Sequence, residues 1–194
     1  MTEFIPLPGD ASLLLQGRHD PSLVLLSIGL AVLAGVAAMV VSSQASRFRG
    51  IPALCMVLAG GLALGSGVWA MHFVGMLALD LCRAAGYRLD VTVLSMVPSV
   101  LASSLALWLL MLGRQSTATL WLGGGLFGLG VGAMHYSGML ALEGMDGLHF
   151  DPLLVVASVV VAVLLAVFAL WVRQALQRWR PGLSAAWRNA VSGV

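Results

Sequence analysis

The chain is 194 residues long, 60% hydrophobic and only 9% charged, with a mean hydropathy of +0.99. Soluble domains carry roughly 25% charged residues, so a water-facing globule is excluded and a lipid-embedded chain is indicated. The ten basic residues are all arginines, set against eight acids, a balance that gives nucleic-acid binding no support beyond loop charge.

Residues 1–18 carry Glu3 and Asp10 where a cleavable signal peptide would have a basic start, and read as an extracytoplasmic N-terminal segment. Residues 19–194 read as one membrane domain. Five segments reach the roughly 20 apolar residues that cross a bilayer: near 21–41, 51–79, 91–112, 119–142 and 152–172. The expected fold is all-α, a polytopic membrane bundle of five transmembrane helices built from a two-helix repeat, with a partial helix at the C-terminus. Asp20-Pro21 and Asp151-Pro152 each place a capping carboxylate before a proline at the first helical position. The third span opens on Arg88 instead, without a proline.

Charge orients the bundle. Arg47, Arg49, Arg114, Arg173, Arg178, Arg180 and Arg188 fall on one side with no acid, whereas all eight acids share the other side with Arg18, Arg83 and Arg88. The positive-inside rule places the N-terminus outside and the C-terminus in the cytoplasm. The first partner is then the lipid bilayer, whose anionic headgroups suit the inner arginines.

The two-helix unit repeats. Gly61, Gly65 and Gly67 recur as Gly124, Gly128 and Gly130, 63 residues later. Such small-residue rows let membrane helices approach closely. Serines recur seven residues into the helices that begin outside, at Ser27, Ser95 and Ser158. Continuing the period predicts a third motif histidine at about 198–203, past Val194. Residues 173–194 thus read as the start of a truncated sixth helix, with a cytoplasmic amphipathic tail as the alternative.

The repeat carries chemistry at the outer end of its second helix. Met71-His72-Phe73-Val74-Gly75-Met76 and Met134-His135-Tyr136-Ser137-Gly138-Met139 are two copies of one hexapeptide. Ionisable groups inside a span are costly and point to function. On a helix His72 and Met76 share a side, as do His135 and Met139, while Met71 and Met134 are rotated by about 100°. Imidazole nitrogen with thioether sulfur suits copper. Zinc stays open because acids are near, as does haem held by two axial histidines. His19 and His149 stand at the same outer level, and His19, beside a capped helix start, joins the candidate ligands. A copper conduit is a second class of function, but Met39, Met56 and Met111 in the inner half lack matching histidines. A third reading makes the motifs packing devices only. No nucleophile–base pattern, phosphate loop or paired carboxylate stands in a span, so the chain itself reads as a non-enzyme.

The two hexapeptides, the His19-Asp20 opening and the Asp151-Pro152-Leu153-Leu154 start resemble the MHYT domain, a bacterial integral-membrane sensor family named for Met-His-Tyr-Thr. The resemblance runs from about His19 to the last residue. It implies sensing of oxygen, carbon monoxide or nitric oxide, or of redox state, through a bound metal, expected to be copper. It also implies a cytoplasmic output domain in the full-length chain, such as one that turns over cyclic di-GMP and could itself be an enzyme. A homodimer is left open. Met71, His72, Met76, Met134, His135 and Met139 carry over as ligands. This sequence departs from the motif at Phe73, Val74 and Ser137, which removes the phenol from the first copy.

Overall fold

The computed structural model describes residues 19–45, 48–79, 86–111, 116–143 and 150–179. The expectations for residues 1–18, for His149 and for the chain beyond 179 lie outside the described residues. Six helices occur among the described residues: α1 (Pro21–Ala45), α2 (Ile51–Leu77), α3 (Leu89–Leu94), α4 (Met96–Met111), α5 (Thr117–Met139) and α6 (Pro152–Trp179). The third expected span is the continuous stretch α3–α4, interrupted at Ser95. With α1, α2, α5 and α6 it makes five spans long and apolar enough to cross a membrane. The protein is an all-α, multi-pass membrane protein.

Helix starts follow the expected chemistry. Asp20 Oδ1 accepts from Ser22 N at 2.9 Å, and Asp151 Oδ1 accepts from Leu153 N at 2.8 Å. Each satisfies an N–H that the first turn leaves without a partner. Arg88 makes no side-chain cap; its guanidinium instead pairs with Asp90 at 2.9 Å in an exposed position. Ser116 caps α5 by accepting from Thr119 N at 3.2 Å. Span ends differ from expectation by a few residues. The second helix stops at Leu77 because Ala78 and Leu79 turn to meet the start of α1. The last runs on to Trp179.

Neighbours in sequence are neighbours in space: α1 packs on α2, α2 on α4, α4 on α5 and α5 on α6, while α2 and α5 meet over a shorter stretch. The outermost helices α1 and α6 leave nearly all of their apolar windows uncovered, as lipid-facing helices do. Glycines set the close approaches. A Cβ at Gly65 would lie 2.5 Å from Val100 Cα, and one at Gly128 would lie 2.6 Å from Val163 Cα. Gly61 seats on Ser104 as Gly124 seats on Val167. All these pairs keep the 63-residue offset, so α2 against α4 and α5 against α6 are two copies of one hairpin.

Candidate functional site

The repeat also clasps the two ends of each unit together. Asp20 N donates to Ala78 O at 2.8 Å, and Arg88 N donates to Ala141 O at 2.9 Å. Short antiparallel bridges pair His19 with Leu79 and Tyr87 with Leu142. Each clasp ties the start of one helix to the turn that follows a hexapeptide, and so holds both motifs at one level.

At that level α2 and α5 present their histidines to each other. His72 Nδ1 and His135 Nδ1 are 3.4 Å apart, with ring centroids 4.7 Å apart. Gly138 makes this possible: a Cβ there would sit 3.3 Å from His72 Nε2 and 3.2 Å from Phe73 Cζ. A separation of 3.4 Å exceeds the roughly 2.7–3.2 Å of a good N–H hydrogen bond. His72 Nε2 is buried and has no hydrogen-bond partner. Hydrogen bonding within the protein therefore does not explain why two imidazoles are brought together inside a span.

Aromatic rings extend the pair to both sides. Phe73 stands edge-on to His72 at 5.2 Å, with Trp69 beyond it at 5.0 Å. On the other side Tyr136 stands edge-on to His135 at 5.0 Å, and Phe150 follows at 5.4 Å. The Tyr136 hydroxyl lies 2.6 Å from Ser158 Oγ on α6. Ser158 uses its own hydrogen on Val155 O at 2.8 Å, so Tyr136 is the donor of that bond.

A cavity of about 280 Å³ opens beside the histidines where α2, α5 and α6 meet, and Met71, His72, Met134 and His135 all line it. Met134 is almost fully buried, at 1% exposure. Met76 and Met139 fall elsewhere, in an apolar cluster with Leu79, Tyr87 and Leu142. His19 is exposed at the clasp with Leu79. The structure thus gathers two histidines and two methionines of the seven candidates around one space. Among the described residues no cluster of three or more His, Cys, Asp or Glu side chains could hold a metal.

Two nitrogens held at about 2.0–2.1 Å from one ion at a near-tetrahedral angle lie about 3.4 Å apart. The observed spacing has that value, so the pair fits an ion without spreading the helices. Sequence reasoning placed the histidines at one depth but missed Trp69. Its indole Nε1 donates to Thr92 O at 2.9 Å and to Ser95 Oγ at 3.1 Å. The available signal was the repeat itself, which matches Trp69 with Gly132.

Five apolar spans, a hairpin duplicated at a 63-residue offset and a histidine pair formed across the duplication define a class: repeat-built, multi-pass membrane modules. The chain belongs to the MHYT family, described as a bacterial signalling protein N-terminal repeat, whose profile matches residues 65–124 and 128–186. The chain is 39% identical over 159 residues to the bifunctional diguanylate cyclase/cyclic di-GMP phosphodiesterase MucR of Pseudomonas aeruginosa, covering 82% of this chain and 23% of that protein. It is 36% identical over 156 residues to the cyclic di-GMP phosphodiesterase NbdA of the same organism, covering 80% and 20%. The signaling protein YkoW of Bacillus subtilis is 26% identical over 145 residues, covering 75% and 18%. The chain therefore spans less than a quarter of the length of these curated relatives. No solved structure matches it.

Proposed function

We propose that this chain is a membrane-embedded sensory input module that holds a copper ion through His72 and His135, with Met71 and Met134 as sulfur donors from the same cavity. The observation that carries the reading is the 3.4 Å approach of the two Nδ1 atoms at a cavity that Met71 and Met134 also line. Mixed imidazole and thioether donors favour copper over hard cations. A haem would have to be inserted between rings already this close, which argues for a bare ion. Met76, Met139 and His19 are left outside the ligand set in this reading, as packing and clasp residues.

A bound copper ion would supply redox chemistry and affinity for a diatomic gas. The protein's part is positional. His72 and His135 belong to different repeat units, so a change in their separation moves α2 against α5. Tyr136, the residue after His135, holds Ser158 and carries that movement to α6. The arginine-rich end of α6 would face the cytoplasm, with the motif end outside, as the loop charges favour. Two of the relatives are named for making or degrading cyclic di-GMP. By that likeness the signal would reach an output domain of that kind in the full-length protein.

Metal analysis of purified protein, wild type against the double variant His72→Ala/His135→Ala, tests the reading. Copper near one ion per chain in the wild type and its loss in the variant are expected. Equal copper in both would refute the ligand assignment, and a Soret band in the absorption spectrum would replace copper with haem.

A further inference from the structure

The duplicated hairpin is not filled in the same way twice. Trp69 in the first unit corresponds to Gly132 in the second, as Ser95 corresponds to Ser158 and Thr92 to Val155. The backbones agree, because Gly65 on Val100 and Gly128 on Val163 make the same close approach. The local hydroxyl geometry agrees too: Ser95 Oγ donates to Thr92 O at 2.7 Å, and Ser158 Oγ donates to Val155 O at 2.8 Å. In the first unit the Trp69 indole lies over this hydroxyl and carbonyl and donates to both. Ser95 is consequently only 2% exposed. In the second unit Ser158 is exposed, and a cavity of about 280 Å³ lies between Gly132, Tyr136, Ser158, Val159 and Ala162.

We infer that this cavity is a binding site for a small planar aromatic ring carrying an N–H or O–H donor on its rim, the class that includes indole and the headgroup of a membrane quinol. Trp69 is the template. The first unit shows what the hairpin accepts at this position: a flat apolar ring with one donor aimed at the serine hydroxyl and the carbonyl three residues before it. In the second unit Ser158 Oγ lines the cavity and, with one lone pair taken by the Tyr136 hydroxyl, keeps a second to accept from a ligand. Tyr136 supplies the neighbouring ring that Phe73 supplies to Trp69, whose centroids are 5.0 Å apart. The volume is at the small end of ligand cavities, which run from about 300 Å³ upward, so a single ring system suits it and a larger ligand does not. Uncovered α6 forms one wall, which gives a hydrophobic ring a lateral route from the bilayer. An oxidised quinone presents only acceptors to a site made of acceptors and binds less well. The site needs no metal, but the proposed copper ligands Met71, His72, Met134 and His135 line the same cavity; ring binding and metal content are measured separately, so failure of one reading is distinguishable from failure of the other.

Ligand-observed fluorine NMR on the purified protein in nanodiscs provides the test, with a fluoroindole as probe and its N-methylated analogue as control. Methylation removes the donor while raising hydrophobicity, so partition into lipid alone would favour the control. Saturable binding of fluoroindole, at least about threefold tighter than the control, is expected from the loss of one hydrogen bond. Ser158→Ala should weaken binding about three- to tenfold by the same reasoning. Gly132→Trp and Ala162→Phe, which fill the cavity from opposite walls, should abolish it. Chelator-treated, copper-free protein should bind as well as untreated protein. Equal binding of the N-methylated ring, or saturable binding that survives in both filled variants, would overturn the proposal. Should both filled variants fail to fold, the comparison of the two rings on wild-type protein decides alone. With binding in hand, displacement by a short-chain quinol but not by its quinone assigns the site to the quinone pool, and resistance to both assigns it to free indole.

Discussion

Glycine-to-alanine substitution should change sign within one turn of α5. At Gly125 an added Cβ meets nothing within 4 Å, whereas at Gly128 it would lie 2.6 Å from Val163 Cα and 2.7 Å from Val163 N. Both variants gain the same intrinsic helix propensity, about 0.5–1 kcal/mol, so their difference isolates the steric cost. The neighbour at Gly128 is backbone and cannot rotate away. Reaching ordinary contact at about 3.4 Å means moving α6 outward by about 0.8 Å along the seat that Gly124 and Gly128 form together. Overpacking of this kind costs about 1–3 kcal/mol, leaving Gly128→Ala net destabilised and Gly125→Ala neutral or stabilised. Reversible unfolding in mixed micelles, followed by helical circular dichroism, measures the gap directly. Equal stabilities for the two variants would refute the close approach of α5 and α6.

The two motif aromatics should respond in opposite ways to exchange of a hydroxyl. Tyr136→Phe removes the donor to Ser158 and should cost about 0.5–1.5 kcal/mol in the same unfolding assay. Phe73→Tyr adds a hydroxyl at Cζ, which packs against Gly138 at a site only 9% exposed. An unsatisfied buried hydroxyl there should cost about 1–3 kcal/mol; no loss would mean that a partner is within reach. Reporter fusions check the orientation: a fluorescent protein that folds only in the cytoplasm should light up when joined beside Arg114, and stay dark when joined beside Glu143.

Much of this architecture is legible in the residues because lipid imposes a simple rule: each span must be long, apolar and internally hydrogen-bonded. The Asp-Pro starts announce their caps, and the glycine rows announce where backbones touch. Ser95 interrupts the third span three residues before Pro98, whose ring and missing N–H disrupt the bond to the Leu94 carbonyl, so that break does have a signal in the sequence. The placement of the methionines depends on the bundle. Spacing by four puts Met76 with His72 on one side of α2, yet the space beside the histidines opens on the flank where Met71 and Met134 lie. Which flank is open depends on how α6 meets α5, and no single helix contains that information. The pairing of His72 with His135 is in the same position: the repeat sets their common depth, and only the packing of α2 on α5 turns them toward each other.

The glycine seat between α5 and α6 has a mechanical consequence. Gly124 and Gly128 rest on the backbone at Val167 and Val163, so α6 can rock about that region but cannot slide through it. Ser158, the residue held by Tyr136, lies about 10 Å from this fulcrum, and Trp179 lies about 21 Å beyond it on the other arm, at 1.5 Å per residue. The helix is then an unequal lever. A displacement of 1 Å imposed through the Tyr136 hydroxyl would emerge as about 2 Å at the far end, in the opposite direction.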